Sequence, residues 1–113
     1  VFLLFPLEPS KAPENVTAEQ SGATSMTVTW DPVAFSGRNG NITAYTVYYK
    51  AVSGHRVNDN ELRIKVNASV TRLNLSNLEE YVTYNVSVSA NTSVGEGPRS
   101  KGVLQKTAEA SEY

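Results

Sequence analysis

The chain has 113 residues, 40% of them hydrophobic, no cysteine, and a formal net charge of -1 with an isoelectric point near 5.8. That length supports one core and leaves no room for a second domain. The missing cysteine excludes disulfides, thiolate metal sites and cysteine nucleophiles, and the near-neutral charge gives no electrostatic ground for nucleic acid or an anionic membrane as partner.

Val1 to Leu7 is an apolar run, too short to span a bilayer and without the charged start of a signal peptide, so no membrane insertion by this segment is expected. Pro9 and Pro13 hold the following backbone extended and supply no amide hydrogen there. Residues 1–12 therefore read as an apolar arm and proline-containing linker, residues 13–107 as the domain, and residues 108–113 as a second linker.

The domain reads as a series of period-two strands. Val16 and Ala18 alternate with Asn15 and Thr17 in the first. Met26, Val28 and Trp30 alternate with Thr27 and Thr29 in the second, which Asp31-Pro32 closes because proline cannot continue a central ladder. The alternation around Trp30 places it at the centre of the core and not on a binding surface. After a loop at 35–41 with two glycines, Ile42, Tyr45, Val47 and Tyr49 face inward from the third strand while Tyr48 faces out. Residues 52–60 form a long polar loop with the chain's single histidine, His55. Leu62, Ile64 and Val66 then alternate with Arg63 and Lys65, and Leu73, Leu75 and Leu78 give the fifth strand and its exit.

In the stretch Leu78-Glu79-Glu80-Tyr81-Val82-Thr83-Tyr84, a tyrosine opens a strand in which Tyr84, Val86, Val88 and Ala90 alternate with Asn85, Ser87 and Ser89. Such a ring can fill the core while its hydroxyl bonds to backbone just upstream, the tyrosine corner of Greek-key sandwiches. With Trp30 upstream and Gly95-Glu96-Gly97 downstream, the chain resembles a fibronectin type III domain. The family places a proline two residues after the leucine, a threonine four after and the tyrosine six after; Glu80 and Val82 stand at the first two positions, and Tyr84 is in register. The spacing of Ile42, Tyr45, Val47 and Tyr49 resembles the family's third strand as well. The resemblance implies an all-β, seven-stranded antiparallel Greek-key β-sandwich, with Trp30, Tyr45, Leu78 and Tyr84 as core and corner and with Val103, Gln105 and Thr107 in the last strand. It also implies that the lack of cysteine is compatible with secretion. Family members stand in tandem in adhesion proteins, receptor-type tyrosine phosphatases and cytokine-type receptors. The Arg-Gly-Asp tripeptide by which some bind integrins is absent from residues 92–99, so that function is not carried over.

Catalysis needs a nucleophile with its base, a close pair of acids, or metal ligands. The only histidine is in a loop, Asp31 closes a strand, and Glu79 and Glu80 are adjacent and point apart in a turn. The spacing of His55, Asp59 and Glu61 matches no coordination loop. Gly95-Glu96-Gly97 enters a strand and not a helix, so it is no phosphate cradle. No enzyme, cofactor or metal is expected.

The sequence instead carries six Asn-x-Ser/Thr matches, at Asn15, Asn41, Asn67, Asn74, Asn85 and Asn91. Chance gives about two for this content of asparagine and hydroxyl residues. They indicate N-linked glycans and an extracellular or cell-surface location. The expected function is a non-enzymatic module for protein–protein recognition or adhesion, its partner a protein ligand or neighbouring domains of the same chain. The alternative is a structural spacer in a tandem array. Counting strands up and down puts the loops at 35–41, 67–70 and 92–99, with three sequons, at the end where the chain enters. Sugar there, on Asn15 and Asn74 over one sheet and on Asn85 over the other, leaves open the far end and the edge of the fourth strand. Partner contact is therefore expected at His55, Arg56, Arg63 and Lys65. Arg63, Lys65 and Arg72 also make a basic strip of the kind a sulfated glycan takes, but outward charges protect an edge strand from pairing with strangers, and that reading is preferred.

Overall fold

A computed structural model describes residues 7–53 and 60–108. Seven strands are present: β1 (Glu14–Gly22), β2 (Ser25–Asp31), β3 (Ala44–Ala51), β4 (Leu62–Asn67), β5 (Arg72–Leu75), β6 (Thr83–Asn91) and β7 (Val103–Lys106). They form two sheets, a three-stranded one in the order β1-β2-β5 and a four-stranded one in the order β4-β3-β6-β7. Every pairing is antiparallel. The chain crosses between sheets after β2 and again on each side of β5, which is the Greek-key arrangement.

Alternation sends one set of side chains from each sheet into the space between them. Met26, Val28 and Trp30 of β2 meet Tyr45 and Val47 of β3 and Val86, Val88 and Ala90 of β6, all with 3% or less of their surface exposed. The Trp30 and Tyr45 rings stand 5.7 Å apart, tilted by 59°, a favourable edge-directed geometry for two aromatic quadrupoles. Leu75, Leu78 and Val82 close the lower part of this core.

Three positions differ from the sequence expectation. Leu62, expected to face inward, is 55% exposed, because it opens an edge strand beyond the reach of the facing sheet. Tyr48 does project from the outer side of its sheet, yet only 4% of it is exposed, because a distant loop and an arginine cover it. Residues 7–11, in the stretch expected to be arm and linker, lie against the domain. The Leu7 amide donates to the Asn39 carbonyl and the Ser10 amide to that of Gly37. Pro9 is fully buried, and a Cβ on Gly97 would come within 2.6 Å of its carbonyl oxygen. Glycine at 97 is what allows that approach.

The turn before β6 is the corner. The Tyr84 hydroxyl accepts the Glu79 amide hydrogen at 2.9 Å, so the phenol caps a backbone donor while its ring lies against Tyr49, centroids 6.5 Å apart. No threonine stands at position 82; a hydroxyl reaches the turn from Thr107 instead. Thr107 Oγ1 accepts the Val82 amide at 2.9 Å and donates to the Glu79 carbonyl at 2.7 Å. Tyr81 takes the left-handed conformation the turn requires (φ 60°), unusual for a bulky residue, and is steadied by the hydrogen bond its amide donates to the Ala108 carbonyl and by the Lys106 ammonium 3.8 Å from its ring centre.

Tyr84→Phe strands the Glu79 amide and should cost roughly 1–3 kcal/mol; Thr107→Val, which removes a donor and an acceptor from the same turn, should fall in the same range. Urea unfolding of each variant measures this, and a Tyr84→Phe midpoint equal to the parent's would contradict the corner.

Candidate functional site

The outer face of the four-stranded sheet carries the most developed polar constellation. Register places Thr46, Tyr48 and Lys50 of β3 on this face, next to Lys65 and Arg63 of β4 and to Ser89, Ser87 and Asn85 of β6. The loop from β6 to β7 folds back over it: the Gly97 amide donates to the Ala90 carbonyl, and Glu96 bridges to Asn91. One Glu96 carboxylate oxygen thereby accepts hydrogen bonds from both the Tyr48 and the Ser89 hydroxyls. Arg99 lays its guanidinium over the Tyr48 ring, 3.5 Å from the centroid, and forks onto both Glu61 carboxylate oxygens at 2.8 and 2.9 Å. The loop and the arginine roof the tyrosine, which is why an outward residue is buried.

The electrostatics follow from this packing. Burial raises the Tyr48 phenol above its usual range, and the hydrogen bond to Glu96 and that carboxylate's charge add to it, so the phenol stays protonated and donates. Burial alone would raise the Glu96 carboxyl; the Ser89 and Tyr48 hydroxyls and the Arg99 and Arg63 charges outweigh it, and the net shift is downward. The carboxylate is held in its charged form as the joint of the loop. Arg63 thus faces the cluster from the strand on the other side of β3.

Of the sequence-predicted contact residues, Arg63 and Lys65 are exposed and adjacent on β4, the free edge of its sheet. Arg72 is not with them: it pairs with Thr29 in the other sheet and faces the opposite way. Lys50 stands on the Arg63 and Lys65 face in its place. His55, Arg56 and Asp59 lie outside the described residues. The Tyr48, Glu96, Arg99 and Glu61 cluster was not legible in the sequence, because it joins residues far apart in the chain, Tyr48 with Glu96 and with Arg99, through a loop whose path no period encodes. Among the described residues no three acidic or histidine side chains gather as a metal site, and no helix is long and apolar enough to cross a membrane.

The sequon asparagines are distributed over both sheets and the loops. Asn15, Asn41, Asn67, Asn74 and Asn85 are exposed, whereas Asn91 is half-buried. The Asn67 side-chain oxygen Oδ1 accepts from the Ser69 amide and hydroxyl at 2.9 and 3.0 Å, so these bonds do not occupy its side-chain nitrogen. The Asn91 side chain accepts the Thr46 hydroxyl at 3.0 Å inside the sheet face. At the end where the chain enters, Leu7, Phe35, Arg38, Ile42, Tyr45 and Ala68 border an open cleft of about 960 Å³, with Phe35 86% exposed. The loops at 35–41 and 67–70 meet there, as the strand count requires.

A family model for the fibronectin type III domain matches residues 11–106. The chain belongs to the fibronectin type III family. It is 37% identical over 103 residues to protein sidekick-1 of Gallus gallus, covering 90% of this chain and 5% of that protein. It is 38% identical over 103 residues to receptor-type tyrosine-protein phosphatase F of Mus musculus, covering 89% of this chain and again 5% of the relative. The solution structure of the third fibronectin III domain of human KIAA0343 protein superposes with a TM-score of 0.81 at 28% identity, over 90% of this chain and 85% of that one. The chain thus spans about 5% of the length of the sidekick and phosphatase relatives. As a fibronectin type III domain it is a non-catalytic β-sandwich module.

Two variants test the outer-face cluster. Arg99→Ala removes the ring contact and the Glu61 fork and should cost about 1–2 kcal/mol. For Glu96, the folded carboxyl lies below its unfolded value, so its contribution is present above the ordinary value of 4.5 and is lost as pH falls through the folded one. The stability gap between the parent and Glu96→Gln, measured by urea unfolding, should therefore be wide at pH 7 and shrink by pH 3; a gap constant with pH would contradict the assignment.

Proposed function

We propose that this domain is an extracellular module for protein–protein recognition or adhesion within a larger cell-surface protein. The observation that carries the reading is the excess of glycosylation sequons combined with their placement: five of the six asparagines are exposed, although nothing in a β-sandwich requires Asn-x-Ser/Thr at those points. Kinship with a receptor-type phosphatase and with a sidekick protein, at 5% of each relative's length, supports a place among many domains. N-linked glycans belong on Asn15, Asn41, Asn67, Asn74 and Asn85. Asn91, half-buried where the other five are exposed, is the sequon least able to carry one.

Direct contact with a protein partner is proposed at His55, Arg56, Arg63 and Lys65, and the sequon at Asn67 shares the outward β4 face with Arg63 and Lys65. The spacer reading has its own support in the way residues 7–11 are fixed to two loops, since a seated strap sets the angle at which a preceding segment meets the domain.

Secretion from a glycosylating cell, followed by enzymatic deglycosylation and intact-mass measurement, tests the location. Removal of several glycans is expected. An unchanged mass would take away the main support for an extracellular role.

A further inference from the structure

Asn39 makes two of the bonds that fasten the strap of residues 7–11 to the loop at 35–41. Its main-chain carbonyl accepts the Leu7 amide hydrogen at 2.8 Å, and its side-chain Nδ2 donates to the Glu8 carbonyl at 3.3 Å. The residue is exposed and left-handed (φ 56°), a conformation asparagine tolerates. It is followed by Gly40, in the single Asn-Gly pair of the sequence. Gly40 is exposed too, and its amide makes no hydrogen bond among the described residues.

An exposed carboxamide beside an unpaired backbone nitrogen that no neighbouring Cβ crowds is what an intramolecular attack needs. We propose that Asn39 is a site of spontaneous deamidation, and that its conversion unfastens the strap at Leu7 and Glu8. The Gly40 amide nitrogen gives its hydrogen to solvent and attacks Asn39 Cγ. The new C–N bond closes a succinimide ring, and Nδ2 leaves as ammonia, which takes up a proton. Water then opens the ring at either carbonyl. Breaking the bond from Cγ to nitrogen gives aspartate; breaking the original peptide bond gives isoaspartate. In both cases a carboxamide and a water become a carboxylate and an ammonium ion, with no change of oxidation state.

The nitrogen that leaves is the donor that holds the Glu8 carbonyl. An ionised carboxylate oxygen in its place has no hydrogen to donate and repels that carbonyl. In isoaspartate the main chain runs through Cβ and Cγ, one atom longer, and the carbonyl that held Leu7 becomes part of the free carboxylate. The bond from Ser10 to Gly37 and the burial of Pro9 lie outside the reacting ring and persist. Leu7, Asn39 and Gly40 border the same open cleft, so the change falls at the end where the chain enters. Asn77 supplies a comparison within the molecule: it is exposed and left-handed (φ 57°), but Leu78 follows it. The reaction consumes only water and so stands independently of the extracellular reading.

The test incubates the protein carrying Asn41→Gln at neutral pH and body temperature and follows it by peptide mapping. That substitution keeps sugar, and the mass change of enzymatic deglycosylation, out of the peptide that contains Asn39. Circular dichroism checks its fold; should it fail to fold, the parent is mapped with its glycans left in place. A gain of about 1 Da at Asn39 is expected, with isoaspartate among the products. No gain is expected at Asn77, nor in a variant that adds Asn39→Gln, whose longer side chain would have to close a larger ring. Hydrogen exchange followed by nuclear magnetic resonance then compares fresh protein with the converted fraction. The Leu7 amide should exchange faster after conversion and the Ser10 amide at an unchanged rate. An absent gain at Asn39, an equal gain at Asn77, or a conversion that leaves Leu7 exchange unchanged would overturn the proposal.

Discussion

The bond from the Glu79 amide to the Tyr84 hydroxyl fixes the turn by which the chain leaves the three-stranded sheet and begins the central strand of the other. A backbone donor in that turn has no ladder partner, and leaving it unpaired would cost more than an ordinary bond is worth. Satisfying it with a core side chain couples the path of the turn to the packing of β6. Thr107 repeats the device from the next strand, so the end of β7 and the turn hold one another. With the turn placed, Tyr84, Val86, Val88 and Ala90 face Met26, Val28 and Trp30 across the sandwich, and the register of every neighbouring strand follows. A one-residue slip would put this whole set in water.

Since the interior is occupied by packing, any contact this domain makes falls to its outer surfaces, and these are built unequally. The face of the three-stranded sheet is hydroxyl-rich, with Thr17 bonded to Thr29 and Asn74 accepting from Ser21 and Thr27. The face of the four-stranded sheet is charged and organised by the loop that carries Glu96 and Arg99. That loop is held at both of its approaches, to the sheet by Tyr48 and Ser89 and to the incoming chain by Gly97 against Pro9 and by the Thr92 hydroxyl on the Leu7 carbonyl. The strap, the loop and the sheet face under it are parts of one connected surface.

Period-two alternation makes the strands, Trp30 and the corner tyrosine legible, because a sheet with one buried face imposes that period on the sequence directly. The family resemblance supplies the topology, which alternation by itself does not. What depends on contacts between distant segments is not disclosed by either. Alternation sends Tyr48 outward, correctly for its side of the sheet, but its burial depends on a loop some 50 residues later. Nearness in sequence groups Arg72 with Arg63 and Lys65, whereas the crossover between β4 and β5 sends it to the other sheet and register brings up Lys50 instead. The hydroxyl that the family places at the position of Val82 is supplied from Thr107, which the pairing of β6 with β7 brings to the turn.

Native-state hydrogen exchange at the Glu79 amide, followed by nuclear magnetic resonance, tests the corner most directly. If the Tyr84 hydroxyl holds that hydrogen, the amide should exchange as slowly as the amides of β6 in the parent and much faster in Tyr84→Phe under conditions where the fold persists. A Glu79 amide that exchanges in the parent at the rate of an exposed loop would contradict the dependence of the fold on the corner.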